Sequence, residues 1–298
     1  MTGPELGYLL LGSHLGDPTR RPLTAHQLTR LRQRVQHHVR PTEEGQVSEA
    51  LLRELGYTPA ECNHILSLLS QVEQALSYLQ AAERHGLRCI TRCSEDYPRA
   101  LTAAEKYAPP AVLWAKGNTT LLHTPQISLV GSREAKPENL CFAQTVGSRA
   151  SQQHLTLVSG GARGIDSAGQ FACRNEGGKV ICVIPDELTS HYVYGPDVLL
   201  LCEDSFDLRF SHQRALSRNH VIHILGRMVF VAQCNTHGGT WSGTTENLKH
   251  HWSPVYCFQD GSPAMAQLMS MGAEAVEPDA LDQIEALGGR QSSLFSAQ

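Results

Sequence analysis

Six short apolar runs, "ISLVG", "LTLVSG", "KVICVIP", "VLLLCE", "RMVFVAQC" and "PVYCFQ", recur between residues 127 and 259 and alternate with helix-length segments. They are almost continuously apolar and rich in β-branched residues. A strand with one wet face would alternate apolar with polar, so these strands are expected to be buried on both faces. Parallel strands also require long crossovers, which the intervening segments can supply as helices. The pattern predicts an α/β fold: a Rossmann-like, doubly wound domain with a mostly parallel sheet over residues 124–278.

Upstream the texture differs. Residues 1–86 read as a helical N-terminal module. Leu28, Leu31 and Val35 fall on one helical face, and the stretch from Ser48 repeats apolar residues at three and four, with breaks at Gly56 and Gly86. Thr58 and Pro59 have the order of an N-cap and a first-turn proline. Residues 87–123 read as an extended connecting segment and linker, and 279–298 as a small, polar C-terminal tail of flexible character.

Bulk charge gives little direction. The net charge of −4 leaves any anion-binding surface to a local patch. Nine cysteines, an odd number without a CxxC pair, fit a reducing, cytoplasmic setting better than a disulfide framework. Cys89 and Cys93 lack a second ligand pair at matching spacing, so no metal is expected. No run reaches the ~20 apolar residues of a membrane span, so no membrane association is expected.

In an open parallel sheet, ligands bind beyond the carboxyl ends of the strands. Three glycine-bearing turns fall there: Gly131-Ser132-Arg133; Ser159-Gly160-Gly161-Ala162-Arg163-Gly164; and "QCNTHGGTWSGTTENLK", entering a helix near Thr245. Glycine lets the backbone approach a ligand closely, and the N–H groups of a helix start favour an anion. Hydroxyls of Ser132, Ser159, Thr240, Thr244 and Thr245 add donors, and Arg133 and Arg163 add planar forks suited to phosphate. The bland alternative is that the glycines only permit tight turns and Arg163 pairs with Asp166. "GGARG" is not the dinucleotide fingerprint, and no P-loop is present, so no cofactor is expected. Tyr192, Tyr194 and Trp241 are candidates for stacking on bases, or for ordinary packing.

The combination "ISLVGSREA … LTLVSGGARGIDSAGQFACRNEGGKVICVIP", with "EDYPRAL … PPAVLWAKGN" before it and "LSRNHVIHILGRMVFVAQC" after it, resembles the DNA-processing protein A (DprA/Smf) family over roughly residues 95–275. The resemblance implies a protein without a catalytic step that binds single-stranded DNA, forms a homodimer and meets a RecA-type recombinase. It adds Arg218 and Asn219 to the phosphate-contacting set, against ordinary helix capping as the alternative. His220 replaces the second arginine of the family's RNR, and Gly169 stands where the family usually has a histidine.

Two further resemblances, and a role known among relatives, extend the reading. "GGTWSGTTENL" is similar to the loop of LOG-type phosphoribohydrolases, which implies nucleotide binding or N-glycosidic hydrolysis with Glu246 beside the ribose. Gln291, Leu294 and Phe295 resemble a sliding-clamp binding motif. Some relatives restrain a co-encoded toxin in phage-defence gene pairs, so such a toxin is a third candidate partner.

Overall fold

The computed structural model describes residues 1–38 and 47–287. Contacts divide them into two compact units. The smaller comprises Met1–Tyr97, Tyr107–Ala115 and Cys202–Leu208; the larger comprises Pro98–Lys106, Lys116–Leu201 and the chain from Arg209 onward.

In chain order the first elements are α1 (Gly3–Gly12), α2 (Ala25–His38), α3 (Glu49–Glu54), α4 (Pro59–Leu69), α5 (Val72–Arg84) and β1 (Leu87–Thr91). Thr58 caps α4 through a capping box with Glu61, and Pro59 occupies the first turn, as the sequence order implies. Gly56 and Gly86 take φ of +79° and +67° and end their segments. The core of this unit is aromatic. Trp114 is fully buried, with Tyr78 edge-on at 5.3 Å and Phe206 at 4.9 Å, and its Nε1 donates to Asp204 O at 2.9 Å.

There follow α6 (Arg99–Ala103), β2 (Val112–Gly117), a 3-10 turn (Thr119–His123), β3 (Gln126–Gly131), α7 (Pro137–Gln152), β4 (Thr156–Ser159), α8 (Ile165–Asn175), β5 (Val180–Val183), β6 (Val198–Glu203), α9 (His212–Leu225), β7 (Val229–Gln233), α10 (Gly239–His250), β8 (Val255–Phe258), α11 (Pro263–Ser270) and β9 (Glu274–Val276). The six apolar runs are β3 to β8. In the larger unit the sheet order is β6-β5-β4-β3-β7-β8-β9, and the pairs flanking β3 are parallel, with Ser128 opposite both Val158 and Val229. The chain builds outward from β3 to β6, then returns to the other side of β3 for β7. This is the topology of a doubly wound Rossmann-like sheet, with its switch point between β3 and β7.

One sheet face packs Ile127, Leu129, Leu157 and Phe230 against Phe142 and Val146 of α7 and Ile165 of α8. On the other, Ser128 Oγ donates to Ile222 O of α9 at 2.5 Å. Leu281, Ile284 and Leu287, in residues read as tail, are buried in the first of these cores. Between β5 and β6 the chain forms only a 3-10 turn at Leu188–Ser190, and Tyr192 and Tyr194 stand exposed beyond it.

Candidate functional site

The turns after β3 and β4 are knitted together. Gly164 adopts φ +89° and ψ −125°, and a Cβ there would overlap the carbonyl oxygens of Ser132 and Arg133. Ile165 N donates to Ser132 O at 3.3 Å, and Ile165 also fills the space where a Gly131 side chain would lie. The turn after β7 joins them through Gln233. Ser132 N donates to Gln233 O at 3.0 Å, and Lys136 N to Gln233 Oε1 at 2.9 Å. Thr240 Oγ1 closes the ring by donating to Gly131 O at 3.1 Å.

These turns bound an open cleft of about 940 Å³ at the switch point. One wall carries Ser132, Arg133, Ala162 and Arg163, with both arginines exposed; another is the start of α10, Gly238 to Thr240. The stretch from Phe210 into α9 contributes Phe210 and Leu216, 45% and 42% exposed, beside the polar His212, Arg218 and Asn219. Of the expected site residues, Gly131, Ser132, Arg133, Ala162, Arg163, Arg218, Asn219 and Thr240 line the cleft, whereas Ser159, Gly160, Gly161, Gly164 and Thr244 do not.

The non-lining residues have other partners. Ser159 is buried and its hydroxyl accepts from Gln170 Nε2 at 2.6 Å. Thr244 is buried and donates back to Thr240 O, so its hydroxyl serves the helix. Thr245 likewise donates to Ser242 O. The third turn enters its helix at Gly239, six residues before the expected Thr245, because Gly238 at φ +90° lets the chain turn into α10 early. Asp166, the alternative partner for Arg163, is buried instead beside Arg218 and Arg133, and its carboxylate accepts from Gly160 N and Ala162 N. Burial pushes its pKa up to about 6, with Arg218 and the two N–H groups opposing the shift.

Arg218 and Asn219 sit mid-helix in α9; the cap is Ser211, whose Oγ accepts from Arg214 N. Asn219 Nδ2 donates to Gly239 O at 3.0 Å and holds the third turn. Tyr192, Tyr194 and Trp241 are not among the lining residues. The aromatic at the cleft is Phe210, directly before the Ser211 cap, where the sequence carries no motif to mark it. Glu246 pairs with Lys249 at 3.3 Å and His250 at 3.1 Å and does not line the cleft. Gln291, Leu294 and Phe295 lie outside the described residues. Among the described residues, no group of three or more His, Cys, Asp or Glu is placed to hold a metal ion, and no helix is long and apolar enough to cross a membrane.

At the cleft floor His223 is fully buried, with Nδ1 3.3 Å from Asn247 Nδ2. Burial lowers its pKa from 6.5 to about 3. The unfolded chain therefore takes up this proton first as pH falls. Stability conferred by neutral His223 is complete above about pH 6.5 and declines toward pH 3, by on the order of 1 kcal/mol per pH unit. Asp166, whose folded pKa is raised, acts in the opposite sense between pH 6 and 3.8. Denaturant midpoints of the wild type and His223→Leu at pH 7.5 and 6.0 are expected to show the larger acid loss in the wild type.

The arrangement suits an extended anion with an apolar or aromatic part. It offers two solvent-facing guanidinium groups, the N-terminus of a twelve-residue helix and the exposed apolar side chains of Phe210 and Leu216. Comparison with known proteins agrees with the fold. The chain is 33% identical over 156 residues to DNA processing protein DprA of Streptococcus pneumoniae, covering 48% of this chain and 53% of that protein. It is 28% identical over 162 residues to protein Smf of Escherichia coli, covering 53% and 40%. The matches thus span about half the length of these curated relatives. The X-ray structure of DprA from Streptococcus pneumoniae superposes with a TM-score of 0.65 at 23% identity, covering 85% of this chain and 95% of that one. A structure of DNA processing protein A from Helicobacter pylori, described for its single-stranded DNA binding mode, gives 0.58 at 21% identity, covering 68% and 96%. Residues 88–287 match the family described as DNA recombination-mediator protein A, and the chain belongs to that family.

Proposed function

We propose that this protein binds single-stranded DNA in the switch-point cleft and acts in DNA processing or recombination through that binding. The observation that carries the reading is that exposed Arg133 and Arg163 line one cleft together with the exposed apolar side chains of Phe210 and Leu216. Guanidinium groups hold successive phosphates while an aromatic face accepts a base, and a single strand presents both at once. The Helicobacter pylori relative, itself a single-stranded DNA binder, supports the same ligand class. The hydrolase alternative rests on Glu246, which is turned to Lys249 and His250.

Binding to an oligonucleotide single strand, its duplex and a mononucleotide across a salt series tests the proposal. The single strand is expected to bind tightest, with affinity falling as salt rises. Arg133→Ala and Arg163→Ala each reduce affinity on the order of tenfold and make the salt slope shallower by about 0.7. Unchanged single-strand binding in the double variant would place the site elsewhere. The proposal includes a homodimer, expected at twice the 32.7 kDa chain mass in sedimentation. Contact with a RecA-type recombinase or a co-encoded toxin belongs to the same proposal and is checked by co-purification of the pair from co-expressing cells.

A further inference from the structure

The Gly-rich turn after β4 has the form of an anion receptor, yet the chain supplies its own anion. Gly160 N and Ala162 N donate to the same oxygen, Asp166 Oδ2, at 3.2 and 3.3 Å. Asp166 lies in the first turn of α8 and is buried, so its carboxylate occupies the position between turn and helix start that a phosphate oxygen takes in an open receptor. Arg218 comes in from α9 on the other side. A Cβ on Gly160 would overlap Arg218 Nη1 and lie 2.8 Å from Asp166 Oδ2, which sets guanidinium and carboxylate side by side over a residue with no room for a methyl group, at the lining of the cleft. Arg218 is itself 7% exposed, whereas Arg133 and Arg163 face solvent. The other charged or titratable groups acting around this carboxylate are Arg133 and Cys182, the latter held as a thiol with its pKa raised to about 11.

We propose that Asp166 is an internal counter-anion that fills the cradle of the Gly-rich turn and cancels the charge of Arg218, making Arg218 a positioning residue and leaving the DNA phosphates to Arg133, Arg163 and the start of α10. The inference rests on the reading of the cleft as a single-strand site. It assigns the glycines to internal packing: they let a side chain from α9 and one from α8 meet on the backbone of the turn.

Charge counting separates this arrangement from one in which Arg218 grips DNA. The readout is the slope of log affinity against log salt for a thymidine oligonucleotide at pH 8, where Asp166 is ionised. Arg133→Ala is expected to make the slope shallower by about 0.7, one phosphate contact. Arg218→Met alone leaves the Asp166 carboxylate without its partner, so it is read only beside the charge-neutral double variant. Asp166→Asn keeps an acceptor for the two N–H groups but removes the charge, so the slope steepens by about 0.7 and binding tightens several-fold. The charge-neutral double variant Asp166→Asn/Arg218→Met leaves no buried charge unpaired and keeps the wild-type slope, which decides the matter where a single variant does not fold. A shallower slope in the double variant, equal to that of Arg133→Ala, keeps the cleft reading and overturns the counter-anion. Absence of oligonucleotide binding by the wild type overturns both.

Discussion

Gly164→Ala is expected to lower stability by about 3 kcal/mol or more and to abolish ligand binding at temperatures where the wild type is intact. Two costs add. The backbone at φ +89°, ψ −125° is a region that essentially only glycine occupies, and the new methyl group would overlap the carbonyl oxygens of Ser132 and Arg133. The Ser132 carbonyl cannot retreat freely, because Ser132 is tied to Gln233 at the end of β7 and Ser132 O accepts from Ile165 N. The variant must therefore part the first two turns or shift the third. In a chain of this size the loss corresponds to about 5 °C in Tm. Thermal unfolding and oligonucleotide binding measured on the same sample provide the check; a wild-type Tm would mean that the turns are not mutually braced.

Gly169→His, which restores the residue common in the family, is expected to destabilise by about 3 kcal/mol rather than improve function. Gly169 is buried in α8 where that helix crosses α7. A Cβ on Gly169 would overlap Leu129 Cδ2 and lie 3.2 Å from Ala143 O, and a Cβ on Gly147 of α7 would overlap Gly169 O. The two helices approach backbone to backbone through this glycine pair, and an imidazole has no volume to enter. Denaturant unfolding of Gly169→His beside Gly169→Ala measures the effect, with alanine expected to cost less because Leu129 is a flexible neighbour. Equal stability of all three proteins would show that the helices can separate without loss.

The strands were legible because their signal is local. β3 to β8 coincide with the six apolar runs, and Thr58-Pro59 announces α4 because a cap is decided within four residues. The positions of the three turns followed from the strands. What the side chains do inside those turns did not follow, since it depends on groups far away in the chain. Asp166 lies three residues from Arg163, yet it meets Arg218, which α9 brings from 52 positions further on. Thr240 and Thr244 share one face of α10, but Thr240 lines the cleft at the helix start whereas Thr244, one turn further along, is buried. Phe210 stands just outside a helix, where apolar periodicity gives no weight to a single residue. Gly169 read as a departure from a motif, and its reason became visible only with the α7–α8 crossing.

The switch point also dictates when in folding the cleft can exist. Its first wall follows β3 and β4, while Phe210, Asn219 and Thr240 follow β6 and β7. Pairing Ser128 with Val229 closes a loop of roughly one hundred residues, a slow event compared with the neighbouring β3–β4 contact. A chain that has formed β3, β4 and β5 holds half a binding site, with arginines in place and the rest of the lining absent. Ligand cannot stabilise such an intermediate as it stabilises the native state. In refolding, recovery of oligonucleotide binding should therefore track the slowest structural phase, so that binding reports completion of the sheet rather than its nucleation.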